Sequence, residues 1–309
     1  MSEYHIPVLL QESVSALIAN PSGLYIDATF GGGGHTAEIL SRLSEAGRVL
    51  AFDRDIDALA NRPEDGRLTL VHNNFRFVHN YVQYCAHKDG TPALADGILA
   101  DLGVSSHQFD TADRGFSFRF DAPLDMRMNP EAGQTAADLV NTADPARLEQ
   151  ILRLYGEVDN PRKMTQLIVA ARAQKEIVTT ADLTDALAPC LPKFAEHKVL
   201  AKVFQALRIE VNQEMTALAG FLEGAARSLK PGGRLVVITY HSLEDRMVKN
   251  FIRTGNIEGV VRQDVYGRTD TPLKAVNRKP ILPREEEIAA NTRARSAKLR
   301  IAERTDSNV

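Results

Sequence analysis

The chain has 309 residues, of which 44% are hydrophobic and 25% are charged, and it contains no tryptophan. Such a length and composition are typical of a globular protein with one or two domains and a sizeable core. The formal net charge is −3 at pH 7, whereas a protein that coats nucleic acid through its bulk charge is strongly basic. Composition therefore argues mildly against an RNA partner, and any such partner must be held by a local basic surface.

The two cysteines, Cys85 and Cys190, are far apart and lie outside any CxxC pattern. They form neither a disulfide framework nor a zinc site, and we expect no metal. Residues 1–10 lack the charged and apolar blocks of a signal peptide, and no apolar run has the length of a membrane span. The sequence therefore predicts a cytoplasmic protein that does not associate with membranes.

Short apolar runs separated by helical stretches dominate the first hundred residues, and similar runs return near the C-terminus. They cover residues 24–30, 48–53, 68–73, 97–102, 234–240 and 298–301. Strands that alternate with helices indicate βαβ units and a parallel sheet buried on both faces. A turn is expected at residues 230–234, just before the fifth run.

Between residues 109 and 204 the strand pattern disappears, and the apolar spacing predicts amphipathic helices. They are expected over residues 138–155, 162–175 and 180–191. We therefore predict an α/β protein with a doubly wound, Rossmann-like sheet and an inserted, mostly helical domain. Residues 1–108 and 206–309 would form the sheet domain, and residues 109–205 the insertion.

Four consecutive glycines, Gly31–Gly34, follow the first predicted strand and precede a helix. Glycines let a backbone turn tightly and approach a ligand, and a helix start offers free N–H groups to an anion. A P-loop is excluded, because no Gly-Lys-Ser/Thr follows. The dinucleotide fingerprint matches at Gly31 and Gly33 but has Thr36 in place of its last glycine, which weakens an NAD site without excluding it.

Two further candidates for a nucleoside-type cofactor follow the second and third strands. Asp53 ends the second strand about 20 residues after the glycine turn, where an acidic residue accepts the ribose hydroxyls. The alternative is that Asp53 only caps the next helix. Phe75 is placed to stack on adenine, with plain core packing as its alternative. The acidic residue at the end of the second strand is shared by NAD and S-adenosylmethionine enzymes.

Asp101 lies at the end of the fourth predicted strand, and His241 directly follows the fifth. The carboxyl ends of strands at a switch point hold the ligand in doubly wound sheets. In amino-group methyltransferases this place carries an acidic or amide residue that receives the target amine, so Asp101 is a candidate for contact with the target or with the charged end of the cofactor. His241 either binds a base or phosphate or caps the helix that follows. A Ser-His-Asp hydrolase is disfavoured, because Ser242 adjoins His241 and no G-x-S-x-G elbow exists.

The net negative charge of the chain argues against an RNA partner, but two groups of basic residues could hold RNA phosphates locally. They are Arg114, Arg119 and Arg127 after Asp101, and Arg293, Arg295, Lys298 and Arg300 near the C-terminus. The alternative for the second group is a solvated face paired with acidic residues. Interleaved with the first group are Phe116, Phe118 and Phe120, which either stack a flipped base or seat the helical insertion.

Seven segments, in order along nearly the whole chain, resemble the small-subunit (16S) rRNA cytosine-N4 methyltransferases of the RsmH/MraW type. They are residues 30–36, 101–108, 114–118, 123–128, 204–212, 240–246 and 293–300. Two residues depart from the family's pattern: His107 stands where Pro is expected, and Gly32 where a larger or charged residue is common. Residues 256–282 match least, and no role is assigned to them.

The resemblance implies a cytoplasmic bacterial enzyme with the class I methyltransferase fold, which uses S-adenosyl-L-methionine to methylate N4 of one decoding-site cytidine in small-subunit rRNA. Carried over by position, its cofactor contacts are Gly33, Gly34, His35, Asp53, Phe75, Asp101 and Gln108. Asp101 and His241 are the catalytic candidates, and the helical insertion is the candidate for RNA recognition.

Several alternatives remain open on the sequence alone. The enzyme could act on DNA or a small molecule, or the fold could bind a nucleotide without turnover. An assembled small ribosomal subunit and naked rRNA are both compatible substrates, the former being favoured. A homodimer is equally open, because an apolar helix face belongs either to a core or to an interface.

Overall fold

The computed structural model describes residues 7–90, 92–263 and 271–306. The chain divides into two compact units. The first, the sheet unit, comprises Met1–Gly103 and Met215–Val309, and the second, the inserted unit, comprises Val104–Glu214.

The strands of the sheet unit are listed here in chain order. They are β1 (Leu24–Asp27), β2 (Arg48–Asp53), β3 (Leu68–His72), β4 (Ala95–Asp101), β5 (Leu229–Thr239), β6 (Leu273–Ala275) and β7 (Lys298–Arg304). They form one sheet in the order β3-β2-β1-β4-β5-β7-β6. The first five pair in parallel, as the sequence predicts, whereas β7 lies antiparallel to both β5 and β6.

The α-helices of both units are listed here in chain order. They are α1 (Leu10–Leu17), α2 (Gly34–Arg42), α3 (Val78–Asp89), α4 (Ser106–Asp110), α5 (Ala136–Thr142), α6 (Pro145–Leu154), α7 (Pro161–Arg172), α8 (Thr180–Leu187), α9 (Glu196–Asn212), α10 (Glu214–Ser228), α11 (Ser242–Thr254) and α12 (Glu285–Ala290).

Helices cover both faces of the sheet, and alternate residues of each strand point to opposite faces. In β1, Leu24 and Ile26 pack in a cluster with apolar residues of α3, α10 and α11. Between them, Tyr25 packs in a second cluster with residues of α1 and α2. The sheet is therefore doubly wound, as predicted, and burial on both faces explains why its strands are almost wholly apolar.

The predicted turn before the fifth strand becomes a bulge within β5. Leu229 pairs with Ala95 and Arg234 pairs with Gly97, so residues 230–233 leave the ladder between β4 and β5. Gly232 has a φ of 77°, a left-handed conformation that glycine adopts without a steric penalty.

The inserted unit is helical, and its described residues contain one isolated β-bridge, between Pro123 and Thr179. The single helix expected over residues 138–155 is wrong, because the structure has two helices there. Pro145 occupies the first turn of α6, and a proline disfavours helical geometry in the residue before it. The chain therefore ends α5 at Thr142 and starts α6 afresh.

Helix α9 belongs to the core of the inserted unit, where Leu200, Val203 and Leu207 are buried. At its end, the Asn212 side chain donates to the Met126 carbonyl at 2.7 Å and accepts from the Met128 N–H at 2.8 Å. Because α9 runs through this core to its last residue, the inserted unit extends past residue 205, where the sequence placed the boundary.

Part of the segment 256–282 takes a place in the sheet unit. Residues 273–275 form β6 beside β7, while residues 264–270 of that segment lie outside the described residues. Within the described ranges, no helix combines the length and the apolar character that crossing a bilayer requires.

Gly115 provides a test of packing in the inserted unit. Its φ is +67°, and a Cβ there would lie 2.3 Å from the Pro123 carbonyl oxygen, which is backbone and moves only with its neighbours. We expect Gly115→Ala to lower the free energy of unfolding by about 2–4 kcal/mol, the sum of left-handed strain and overpacking.

The matched control is Gly133→Ala, since Gly133 has a φ of +85° but open space around its Cβ position. This variant should lose only about 1 kcal/mol of unfolding free energy, because left-handed strain is its only cost. Urea unfolding followed by helical circular dichroism measures both variants, and equal losses would contradict the close contact at Gly115.

Candidate active site

The strand order of the sheet reverses between β1 and β4, and this is its switch point. The two strands are adjacent and parallel, although 67 residues lie between the end of β1 and the start of β4. Ligands of doubly wound sheets bind at the carboxyl ends of the strands beside this point. The glycine turn follows β1, Asp53 ends β2, Asp101 ends β4, and Tyr240 and His241 follow β5. The structure thus brings these candidates to one edge of the sheet.

The turn between β1 and α2 has the backbone that its glycines predict. Gly33 donates its N–H to the Phe30 carbonyl at 2.8 Å, and both Gly31 and Gly33 have left-handed φ angles of 52° and 79°. A Cβ on Gly34 would lie 2.2 Å from the Pro7 ring, whereas a Cβ on Gly31 would meet nothing nearer than 4.0 Å. Packing therefore requires glycine at position 34, and the open side of the turn is at Gly31.

Asp53 ties the glycine turn to the end of β2. One carboxylate oxygen accepts the Gly31 N–H at 2.7 Å, and the other accepts the Asp55 N–H at 2.8 Å. Burial raises the pKa of Asp53 to about 6, against the opposing effect of these hydrogen bonds. The capping role considered for Asp53 falls to Asp55, whose side chain accepts from the Asp57 N–H at the start of the next 3-10 turn.

Asp101 is held by groups from three other segments. The Tyr240 hydroxyl donates to its Oδ1 at 2.7 Å, its backbone N–H donates to Thr29 Oγ1 at 2.7 Å, and His35 Nδ1 lies 3.8 Å from its Oδ2. Burial raises the pKa of Asp101 to about 6, while attraction to His35 and the hydrogen bond from Tyr240 lower it. Among the described residues, no hydrogen bond is made to Oδ2, so this oxygen is available to a ligand.

A second carboxylate, Asp27, lies fully buried at the end of β1. It accepts hydrogen bonds from the Thr36 hydroxyl at 2.7 Å and the Thr29 N–H at 3.1 Å. Burial raises the pKa of Asp27, and attraction to His35 opposes this. Since the Val8 carbonyl can only accept, His35 Nε2, 3.2 Å away, carries a proton. His35 is therefore fixed beside two carboxylates.

Phe75 has the core packing considered as its alternative role. Its ring meets Phe221 edge to face, with 5.2 Å between centroids, and it packs against the cluster formed with α3, α10 and α11. The side chain is half-buried. Its contact with an adenine stays a prediction.

His241 caps α11. Its Nδ1 accepts the Glu244 N–H at 3.4 Å, and Glu244 Oε2 accepts the His241 N–H at 3.3 Å, which completes a capping box. Nε2 is buried 3.1 Å from Glu244 Oε1, without hydrogen-bond alignment. The structure thus shows the capping role, one of the two alternatives, and contact of His241 with a substrate stays a prediction.

Gln108 lies in the inserted unit, where it is buried. Its N–H donates to Ser105 Oγ at 3.2 Å, and its Oε1 accepts the Ser105 N–H at 3.1 Å, so the pair forms the capping box of α4. This accounts structurally for an amide at position 108. Its contact with a cofactor also stays a prediction.

Sequence reasoning missed Tyr240, Asp27, Thr29 and Thr36 as parts of the site. The signal was present for Tyr240, which directly follows β5 at the edge where Asp101 ends β4. Asp27 likewise ends β1, directly before the glycine turn. The two threonines act only through contacts that the fold creates.

The seven-stranded order with an antiparallel β7, together with acidic residues ending β2 and β4, defines a class I methyltransferase, an enzyme that uses S-adenosyl-L-methionine as its cofactor. The model of the MraW methylase family matches residues 2–305. The chain belongs to this family, which confirms the resemblance found in its motifs.

Curated relatives cover almost the whole chain. A protein from Bacteroides fragilis named ribosomal RNA small subunit methyltransferase H is 58% identical over 301 residues, which are 97% of this chain and 97% of the relative. Proteins of the same name from Parabacteroides distasonis and Christiangramia forsetii are 54% and 49% identical, and the alignments cover 97% and 98% of both chains, respectively.

The hydrogen bond from Tyr240 to Asp101 gives a prediction about pH. This bond stabilises the ionised carboxylate, so Tyr240→Phe should raise the pKa of Asp101 above its value of about 6 and move the acid limb of the rate profile to higher pH. Carbon NMR of the labelled carboxyl group measures the pKa directly.

Tyr25→Phe is the matched control, because Tyr25 is also a buried tyrosine in the sheet unit but its hydroxyl donates to the Asn20 carbonyl instead. It should leave the titration of Asp101 unchanged. An unaltered pKa in Tyr240→Phe would show that the hydroxyl does not act on the carboxylate.

Proposed function

We propose that this chain transfers a methyl group from S-adenosylmethionine to N4 of a cytidine in the decoding region of small-subunit rRNA. Methylation of small-subunit rRNA is supported by the shared name of relatives that are 49–58% identical along nearly the whole chain. The base and the atom are supported by the motif resemblance. The observation that carries the chemistry is the Asp101 carboxylate, which has one oxygen bound to Tyr240 and the other available at the carboxyl end of β4.

The residues around the glycine turn fit the cofactor. Asp53 accepts backbone N–H groups of Gly31, Arg54 and Asp55, and the two oxygens of a carboxylate have about four acceptor sites, which leaves one for a ribose hydroxyl. The open side of Gly31 leaves room for the nucleoside, and half-buried Phe75 offers a ring to the adenine. When bound, S-adenosylmethionine supplies a methyl group that its sulfonium has already activated.

The task of the protein is to position N4, which is a poor nucleophile because its lone pair is delocalised into the ring. Asp101 Oδ2 would accept a hydrogen bond from N4–H, which orients the nitrogen and favours its pyramidal form. With a pKa of about 6, this carboxylate is mostly ionised at neutral pH and can take the proton that the methylated nitrogen must lose. A backbone carbonyl within residues 102–105 is the alternative acceptor.

His241 enters the proposal as a residue that positions Tyr240. Glu244 Oε2 accepts the N–H groups of both Tyr240 and His241, so the capping box fixes the backbone that carries the Tyr240 ring. The hydroxyl of that ring then holds Asp101.

The inserted unit is our candidate for RNA recognition, and the proposed substrate is rRNA within an assembled small ribosomal subunit. Several of the basic residues considered for contact with RNA phosphates make hydrogen bonds or ion pairs within the protein. Arg114 donates to the carbonyls of Arg127 and Met128, Arg127 pairs with Asp125, and Lys298 and Arg300 pair with Asp245. The exposed members of the two basic groups are Arg119, Arg293 and Arg295.

Labelled S-adenosylmethionine tests the proposal with unmodified small ribosomal subunits, naked small-subunit rRNA and duplex DNA as acceptors. We expect label in the ribosomal substrate, a preference for assembled subunits, and N4-methylcytidine as the labelled nucleoside by mass. Label in DNA alone, or on another nucleoside, would refute the proposed substrate.

Asp101→Ala tests the mechanism. Loss of the acceptor for N4–H should lower kcat by about 10²–10⁴-fold, the usual contribution of a general base, while calorimetry still detects cofactor binding. Asp89→Ala, an exposed residue at the end of α3, is the control and should keep wild-type turnover. Near-normal turnover in Asp101→Ala would remove Asp101 from the mechanism.

A further inference from the structure

The turn that precedes α9 in the inserted unit presents an aromatic ring wholly to solvent. The Ala195 N–H donates to the Pro192 carbonyl at 2.9 Å, which places Lys193 and Phe194 at the tip of the turn. Phe194 has a relative exposure of 104%, about twice that of Phe120 at 50%. Burying this ring against a partner would be favourable.

Three lysines lie in the turn and on the helix that follows it. Lys193 is its neighbour in the turn, and Lys198 and Lys202 follow on one side of α9, four residues apart. Within the described part of the chain, neither Lys193 nor Lys198 has an ion pair or a side-chain hydrogen bond, and both are exposed. Lys202 donates to the Glu157 carbonyl at 2.8 Å. One cation in the turn and one on the first turn of α9 are therefore available to an anionic partner.

A cavity of about 190 Å³ begins at the two ends of the turn. Pro192 and Ala195 line it together with Lys198 and Lys202, and Asp159 is the acidic residue among its lining. Glu196, at the start of α9, is a second acidic neighbour of the turn. In the turn and the cavity lining, three lysines, Lys193, Lys198 and Lys202, stand against two acidic residues, although the whole chain carries −3.

We propose that the Phe194 turn and the adjoining lysines form a subsite for an unpaired nucleotide of the RNA substrate. A base stacks on the Phe194 ring, and Lys193 and Lys198 contact the flanking phosphates. Aromatic rings beside cations are the usual means of binding single-stranded RNA, and stacking tolerates any base. A surface that docks a protein would instead present a larger apolar patch, whereas charged residues flank this ring.

This inference rests on the proposed function, because it assumes an RNA substrate. It also explains how an acidic protein holds RNA: the contact needs a stacked ring and a few local cations rather than a basic surface.

The test compares Phe194→Ala, Phe194→Leu and Phe194→Tyr in the full-length protein. Two readouts are used: the KM for unmodified small subunits, and the Kd for a fluorescent single-stranded RNA oligonucleotide. Loss of the ring in the Ala and Leu variants should raise both on the order of tenfold, as expected for one stacked base. Phe194→Tyr keeps a ring and should stay near wild type, and the Kd for S-adenosylmethionine should be the same in all.

Lys198→Gln gives a second readout that a structural role would not move. If Lys198 contacts a phosphate, the slope of log K against log salt concentration for the oligonucleotide should fall by about 0.7. Leu154→Ala is the control, since Leu154 is also exposed in the inserted unit, at 49%, and it should change neither readout.

Wild-type affinity of Phe194→Leu for both RNAs would overturn the inference, because a ring that stacks on a base cannot be replaced by an aliphatic chain. Weakened binding to assembled subunits with unchanged binding to naked rRNA and oligonucleotide would also overturn it, and would indicate a protein-docking surface. Failure of the wild-type enzyme to methylate any RNA would instead refute the proposed function, and oligonucleotide binding still tests the subsite in that case.

Discussion

The pairing of β1 with β4 places two carboxylates, Asp27 and Asp101, at the same edge of a sheet whose faces are both covered by helices. Burial disfavours the charged form of each and raises their pKa values. The surrounding groups compensate: His35 lies beside both, threonine hydroxyls contact Asp27 and the backbone of Asp101, and Tyr240 donates to Asp101. The rest of the site depends on this compensation, since an unpaired buried charge would destabilise the fold.

Under the proposed function, the same arrangement suits this edge to a cationic cofactor and an amine. A cluster that already concentrates negative charge would gain stability when a sulfonium binds, and a carboxylate with a pKa of about 6 can exchange a proton near neutral pH. The glycine turn serves the same end, because Asp53 is fixed by the Gly31 N–H while the space over Gly31 stays open. In the proposed function, cofactor binding and methyl transfer therefore use the same set of backbone and carboxylate contacts.

In the inserted unit, many of the basic and aromatic side chains that could bind nucleic acid make contacts within the protein instead. Arg114 and Arg127 hold the loop around residues 125–128, Phe116 is buried, and Phe118 packs against Phe204 at 5.3 Å between centroids. Arg119 and Phe120 stay exposed in this segment, and Lys193 and Phe194 are exposed on the turn before α9. Counting basic and aromatic residues in the sequence therefore overestimates the surface that is available to RNA, because the count cannot separate side chains with internal contacts from exposed ones.

The sequence by itself determined the doubly wound sheet, the helical insertion, and the strand ends that carry Asp53 and Asp101, because apolar periodicity and glycine placement are local properties of the chain. Its motifs also determined the family. Pro145 was also a local signal for a break between two helices, although the apolar periodicity on both sides of it predicts one continuous helix. Only the tertiary structure decided that Tyr240 holds Asp101 across 139 positions, that His241 caps a helix, and that Lys298 and Arg300 pair with Asp245. Such contacts depend on strand order and register, which bring distant residues together in ways that no local pattern records.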